Sequence, residues 1–366
     1  MAGVKKQKGL LARFDSFARG ISEKDKVCIV FHPDADGLCA AVIASNAIKQ
    51  LRGRKAEWVF FQPRADISIS AETVRTLKRG KFTKLIVVDL STDQNPAELK
   101  KASRFLDVLV IDHHKIYNDM NSARIVFIKP QLIGKGDGAS YPASKLSFDL
   151  FSRVCNLDAL RWIASVGIMG DNAVKRWAGF LCTVPKRNKI SLKKLHCLEE
   201  LISAVESLRQ NMLIDLFYEL CTIERPADLC NSKFFALKAE LDTEVARIEK
   251  EFARGREQFP ELGLEYFIFK SKYNVKSSLI NKLSNANPHI TFVIVQKHSN
   301  GIAAISARRQ DGRVRVNDLL ERAVKGMKGA SAGGHAPAAA GRLKTSDLEK
   351  FKKRLVSIHP MKKKSS

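Results

Sequence analysis

An α/β fold with a parallel sheet in the first half of the chain is predicted by three apolar runs, at 27–30, 85–88 and 108–111. Each stops on a cluster of acidic or imidazole side chains, and helix-type stretches lie between them. A second, smaller α/β block is predicted from about residue 262, where strand-like runs and an Asn-Gly turn follow a long helical stretch. With 366 residues, 45% of them hydrophobic, the chain is long enough for two units with their own cores. The organisation expected is an α/β domain over 1–185, a helical connector over 186–260, a smaller α/β domain over 261–358 and a basic tail over 359–366.

In chain order, Leu10, Leu11, Phe14 and Phe17 fall on one helical face behind a lysine-rich start, which predicts an amphipathic helix packed on the sheet rather than on a membrane. The first strand then runs into Phe31-His32-Pro33-Asp34-Ala35-Asp36-Gly37. In an extended segment His32, Asp34 and Asp36 point the same way and outline a divalent-metal site, with Gly37 letting the backbone bend into a helix over about 37–52. The alternative is a surface turn whose Asp residues only cap that helix. A strand near 57–61 and a helix near 71–80 continue a βαβα pattern.

The next two runs end at Asp89 and at Asp112-His113-His114. In open parallel sheets ligands sit beyond the carboxyl ends of the strands at a topological switch point, so three strand ends converge on one crevice. There Asp89 can bridge two ions and His113 can ligate through a ring nitrogen, with Asp112 orienting that imidazole and His114 left for substrate. Read blandly, the triplet starts a loop and caps a helix. The loop Gly134-Lys135-Gly136-Asp137-Gly138-Ala139-Ser140 lacks the Gly-Lys-Ser/Thr ending of a phosphate-binding P-loop and reads as a connection, with Ser140 or Ser144 capping the next helix. A helix near 161–169 runs into Gly170-Asp171, where the glycine frees Asp171 to swing inward and complete the ligand set, although such a pair usually marks a turn.

From 191 to 258 the pattern is helical and charge-laced, and residues such as Glu199, Glu200, Lys238, Glu240 and Lys250 read as solvated faces. Strands follow at 266–269 and 290–295, then the Ser299-Asn300-Gly301 turn and a strand at 302–307 ending on Arg308 and Arg309. After a helix from about Val316, the segment Gly333-Gly334-His335 with Ala338-Ala339-Ala340 is read as glycines exposing backbone N–H groups ahead of an alanine helix whose N-terminus can hold a phosphate; a flexible linker is the alternative.

The formal charge of +25 and a pI near 9.8 favour a polyanionic partner such as nucleic acid or an anionic surface; the alternative is a basic proteome, in which such charge reflects cellular conditions. Seven cysteines without a CxxC pair read as reduced core residues. The N-terminus shows no apolar leader and no window suits a membrane span, so a soluble cytoplasmic protein is expected.

The set His32-Pro33-Asp34-Ala35-Asp36-Gly37, Asp89, Asp112-His113-His114 and Gly170-Asp171 resembles, in order and spacing, the four motifs of the DHH phosphoesterase superfamily. Ser306-x-Arg308 and Gly333-Gly334-His335…Ala339-Ala340-Gly341 are similar to that superfamily's type-1 associated domain, found in RecJ-like exonucleases and NrnA-type oligoribonucleases. The resemblance implies two Mn²⁺ ions, with Mg²⁺ the other common choice, in a cleft between two domains. His32, Asp34 and Asp89 would surround one ion, and Asp36, Asp89, His113 and Asp171 the other. Asp89, Asp112 and His114 would be catalytic, while His114, Arg308, Gly333, Gly334 and His335 would take the substrate. It further implies a stand-alone Mn²⁺-dependent exonuclease on single-stranded DNA or RNA. The alternatives are an enzyme for very short oligonucleotides or small nucleotides, and a catalytically silent nucleic-acid or replisome-binding relative. Replication or repair proteins are the expected protein partners, no membrane is involved, and the oligomeric state is left open.

Overall fold

The three apolar runs at 27–30, 85–88 and 108–111 become fully buried strand segments, because both faces of a parallel sheet are covered by helices. The structure, a computed structural model, describes residues 2–63, 68–223 and 226–360. The tail expected beyond His359 lies, from Met361 onward, outside the described residues. The chain divides into two units, Met1–Ala236 and Leu237–Ser366.

In the first unit α1 (Ala2–Arg19) precedes β1 (Val27–Phe31), α2 (Ala35–Arg52), β2 (Trp58–Phe61), α3 (Ala71–Arg79), β3 (Lys84–Val88), α4 (Ala97–Ala102), β4 (Asp107–Ile111) and β5 (Ile125–Ile128). The strands form one parallel sheet in the order β2-β1-β3-β4-β5. The order reverses at β1, which opens a crevice between the carboxyl ends of β1 and β3. Leu10, Phe14 and Phe17 of α1 are buried as the periodicity predicts. Helix α2 is buried along nearly its whole length by α5 (Ala143–Phe151) and α6 (Arg161–Gly170); its run of alanines permits the close approach. The short helices α7 (Ala178–Leu181) and α8 (Val184–Asn188), then α9 (Leu192–Leu208) and α10 (Leu213–Thr222), complete this unit.

Helix α11 (Phe235–Gly255) leads into the second unit, which continues with β6 (Glu257–Phe259), β7 (Leu264–Lys270), α12 (Lys276–Ala286), β8 (Thr291–Lys297), β9 (Ile302–Arg308), α13 (Val316–Val324), β10 (Ser331–His335), β11 (Ala338–Lys344) and α14 (Leu348–Ile358). Its sheet has the order β10-β11-β9-β8-β7-β6, antiparallel except for the β7–β8 pair. The β8–β9 hairpin forms around the predicted Asn300-Gly301 turn, with Gly301 at φ 77°. One face of the sheet packs α13 and α14 through Leu319, Leu320, Phe351 and Leu355.

Several expectations are corrected. The alanines after Gly333-Gly334-His335 form a strand, not a helix. Ala338–Lys344 pairs along the whole of Ile302–Arg308, satisfying backbone groups that a helix would leave exposed on β9, and this outweighs alanine's modest helix preference. Gly334 sits at φ 131°, where an added Cβ would lie 2.5 Å from the Ala338 carbonyl oxygen, so the glycine serves a close strand contact rather than a helix N-terminus. Neither Ser140 nor Ser144 caps α5; its N-cap position is Pro142, and the cap comes from far away in sequence. The cysteines are not all core residues: Cys28 and Cys39 are buried, but Cys182 is exposed. No helix among the described residues is long and apolar enough to cross a membrane.

Candidate metal centre

Three strand ends supply the site. His32 follows β1, Asp89 follows β3, and Asp112, His113 and His114 follow β4, so the parallel register brings them to one edge of the sheet at the β1/β3 crevice. The extended segment expected through Asp36 stops at Asp34, which is the N-cap of α2, and Asp36 lies in its first turn. Convergence comes from this tight entry into the helix. Gly37 is needed there not as a bend but because a Cβ would sit 2.2 Å from the His32 carbonyl oxygen.

Asp34 caps the helix with one oxygen and faces His32 with the other. Its Oδ1 accepts from Gly37 N at 2.9 Å, capping α2, while its Oδ2 lies 2.8 Å from His32 Nδ1. Asp36 also serves two structures. Its Oδ2 accepts from Ala143 N at 2.6 Å and its Oδ1 from Ser144 N at 2.9 Å, capping α5, and Oδ2 stands 3.9 Å from His113 Nε2.

Asp89, at φ 58°, holds the centre. It still donates its backbone N–H to Ile111 in the ladder, and its carboxylate lies 3.3 Å from His113 Nε2, 3.7 Å from His32 Nδ1 and 3.8 Å from His114 Nδ1. His113 is buried, and its Nδ1 donates to the Gly138 carbonyl at 3.1 Å, which turns Nε2 toward Asp89 and, at 3.3 Å, toward Asp171 at the end of α6. Asp112 was expected to orient His113; it orients His114 instead, with Oδ1 2.7 Å from His114 Nδ1.

Behind Asp112 lies a group that the sequence reading passed over. Lys129, fully buried just after β5, has its ammonium 2.9 Å from Asp112 Oδ2 and 2.9 Å from Asp93 Oδ1, and it donates to the Lys115 carbonyl at 2.7 Å. Asp93 in turn accepts from the backbone N–H of Tyr117 at 2.7 Å. The signal available was a lysine closing the four-residue apolar run Ile125–Ile128, a fifth strand not recognised as one.

The electrostatics separate the two groups. Burial raises the Asp112 carboxyl, but Lys129 and then His114 hold it well below the usual carboxylate range. Burial and the neighbouring Asp34 carboxylate drive Asp89 well above that range, and burial and Asp171 push Asp36 up to about 7. Burial alone would lower His113, yet Asp171 and Asp89 raise it well above an ordinary imidazole. The crevice thus collects Asp34, Asp36, Asp89 and Asp171, and its two buried members, Asp36 and Asp89, meet no lysine or arginine among the described residues. His32 Nδ1 and Asp89 Oδ1 are buried without a well-formed hydrogen bond. Donor atoms of His32, Asp34 and Asp89 lie within 4.8 Å of one another, as do those of Asp36, Asp89 and His113. Mixed imidazole and carboxylate donors around a deficit of positive charge fit divalent cations, and Asp89 belongs to both groups.

In the second unit the register pairs Arg308 of β9 with Ala338 of β11, and Ala338 with His335 of β10. Arg308 and His335 therefore lie on one cross-strand row, with Gly333 and Gly334 leading into it.

Two family models match the sequence: the DHH family, N-terminal domain, over residues 26–160, and the DHHA1 domain over 267–358. No curated protein matches. Among solved structures, the chain is similar to a DHH-domain protein described as a member of a family of ribosomal proteins (TM-score 0.74, 14% identity, 98% of this chain and 92% of that one). It is similar to exonuclease RecJ bound to manganese (TM-score 0.64, 17% identity, 95% and 93%) and to CDC45 from Entamoeba histolytica (TM-score 0.57, 10% identity, 96% and 98%). At these identities the likeness establishes the fold.

Proposed function

Because the chain belongs to the DHH family, with an N-terminal DHH domain followed by a DHHA1 domain, we propose that it is a metal-dependent phosphoesterase whose substrate is single-stranded DNA or RNA, cleaved as an exonuclease. The observation that carries the reading is Asp89, whose carboxylate is shared by both groups of donor atoms at the strand-end crevice. His32, Asp34 and Asp89 would hold one divalent ion, and Asp36, Asp89, His113 and Asp171 a second. Manganese is the ion proposed, in keeping with the donor set and with the manganese-bound RecJ of similar fold. Such paired ions, when bound, lower the pKa of water and neutralise charge on a phosphodiester undergoing in-line displacement.

The chain's own residues do the rest. Asp34 and Asp36 are pinned by backbone N–H groups at two helix starts, so their oxygens stay in place without a cation. The Gly138 carbonyl keeps the His113 proton on Nδ1 and its Nε2 toward the crevice. Asp112, kept ionised by Lys129, holds His114 at Nδ1 and so fixes the ring that contacts the scissile phosphate. Arg308, His335 and the adjoining glycines would bind other phosphates of the substrate. The net charge of +25 favours a polymer over a small nucleotide.

The test is hydrolysis of end-labelled single-stranded DNA and RNA, from dimers to 20-mers, with Mn²⁺ or Mg²⁺. A ladder shortening from one end supports the reading. Activity confined to dimers and trimers would replace it with an oligonucleotide-clearing enzyme, and no metal-dependent cleavage of any length would refute it.

A further inference from the structure

Between the two stretches matched by the family models, directly after Asp171, residues 172–198 contain seven lysines and arginines and no aspartate or glutamate. Lys175, Arg176, Lys186, Arg187, Lys189, Lys193 and Lys194 are all exposed. Arg187 pairs with Asp158, but among the described residues Lys175, Lys186, Lys189, Lys193 and Lys194 meet no carboxylate. Lys193 and Lys194 lie in the first turn of α9, which holds no acid, although a helix start favours negative charge. The charge of these five lysines is not spent on the fold.

The near end of the segment is bonded to the turn that holds His113. Arg176 donates to Ser140 Oγ at 2.8 Å and to the Lys135 carbonyl at 3.0 Å, and Trp177 Nε1 donates to the Ser140 carbonyl at 2.8 Å. Ser140 closes the same short turn whose Gly138 carbonyl holds His113. Lys145, salt-bridged to Asp149, stands 4.1 Å from the centre of the Trp177 ring and 4.6 Å from that of Phe180, which fastens the start of the segment to α5. The strip is therefore fixed at its start beside the His113 turn, and Arg187 of α8 fastens it to Asp158, just ahead of α6, whose other end carries Asp171.

We infer that residues 172–198 form a binding strip for the sugar-phosphate backbone of a single-stranded polynucleotide, which leads the strand to the crevice beside Asp171. A single strand is favoured because Asp89 and His113 are almost wholly buried, so a phosphate reaches them from one chain rather than from the face of a duplex. The inference rests on the phosphoesterase reading for what the strand is delivered to. The binding itself can be measured apart from catalysis.

The experiment is fluorescence anisotropy with labelled single-stranded 20-mers of dT and of U, and with a duplex 20-mer, in EDTA over a range of salt. It compares the full-length protein, a variant with Lys175→Gln, Lys186→Gln, Lys193→Gln and Lys194→Gln, and a control with Lys325→Gln, Lys328→Gln, Lys350→Gln and Lys353→Gln, which removes equal charge from exposed sites of the second unit. The strip variant is expected to bind single strands about tenfold more weakly or worse at 0.1 M salt, with the log–log salt slope reduced by about 2 to 3, and the control to change much less. Wild-type protein that binds no single strand, a preference for duplex, an unchanged strip variant, or equal losses in both variants would overturn the strip. Mn²⁺-dependent hydrolysis of single strands from dimers to 20-mers by the wild type is scored separately: its absence at every length with strip binding intact would remove the proposed function and leave the strip.

Discussion

Two sets of buried acids lie side by side at the end of the first sheet and behave in opposite ways. Asp93 and Asp112 face Lys129, whose ammonium meets both carboxylates and a carbonyl, and Asp112 is held well below its ordinary pKa. Asp36 and Asp89, as deeply buried, face other carboxylates and are pushed up. Burial is the same in the two places, and the difference is one built-in cation. The closed cluster is finished structure, whereas the crevice is a charge deficit that an external cation would fill.

The largest effect expected from breaking this contrast comes from Asp89→Ala, which removes the carboxylate common to both donor groups. Metal-dependent hydrolysis should fall by about 10³-fold or more while the circular dichroism spectrum is unchanged. Next is Lys129→Met, which strands two buried carboxylates. Chemical denaturation should show a loss of about 3 to 5 kcal/mol, the usual cost of removing one partner of a buried pair. Retained stability would mean that the closed cluster is not held by its lysine.

The contrast also has opposite signs with pH. Asp36 has a folded pKa raised to about 7, so the metal-free fold binds protons that the unfolded chain releases, and stability from this group falls as pH rises from about 4 through 7. Asp112, depressed in the fold, contributes stability above its unfolded pKa of about 3.9 and loses it as pH falls toward its folded value. Thermal unfolding in EDTA should therefore decline from pH 5 to 8, and added Mn²⁺ should flatten that decline. The smallest change in stability is expected for Asp34→Asn, because asparagine still caps α2. Unfolding free energy should stay within about 0.5 kcal/mol. Mn²⁺ affinity should drop about tenfold or more as a ligand charge is lost.

How far the sequence led depended on whether a feature is local. A run such as 108–111 ending in Asp112-His113-His114 carries its own placement, since a buried parallel strand fixes where its last residue emerges, and the fold class followed from three such runs. Partnerships did not. Asp112 and His113 are adjacent, and spacing cannot tell that the first would hold His114 and the second would lean on Gly138. Lys129 sat at the end of a four-residue run too short to be read as a strand, and the helix cap of α5 came from Asp36, more than a hundred residues earlier. In the second unit, alanine propensity pointed to a helix where pairing with β9 made a strand, because edge satisfaction is a tertiary demand that composition does not display.

On the proposed function, the strand-end acids and imidazoles hold paired cations through a shared carboxylate. Isothermal titration of metal-free protein with Mn²⁺ tests it most directly. Two ions per chain in the wild type and loss of that stoichiometry in Asp89→Ala are predicted; no saturable Mn²⁺ binding, or two ions still bound by the variant, would contradict it.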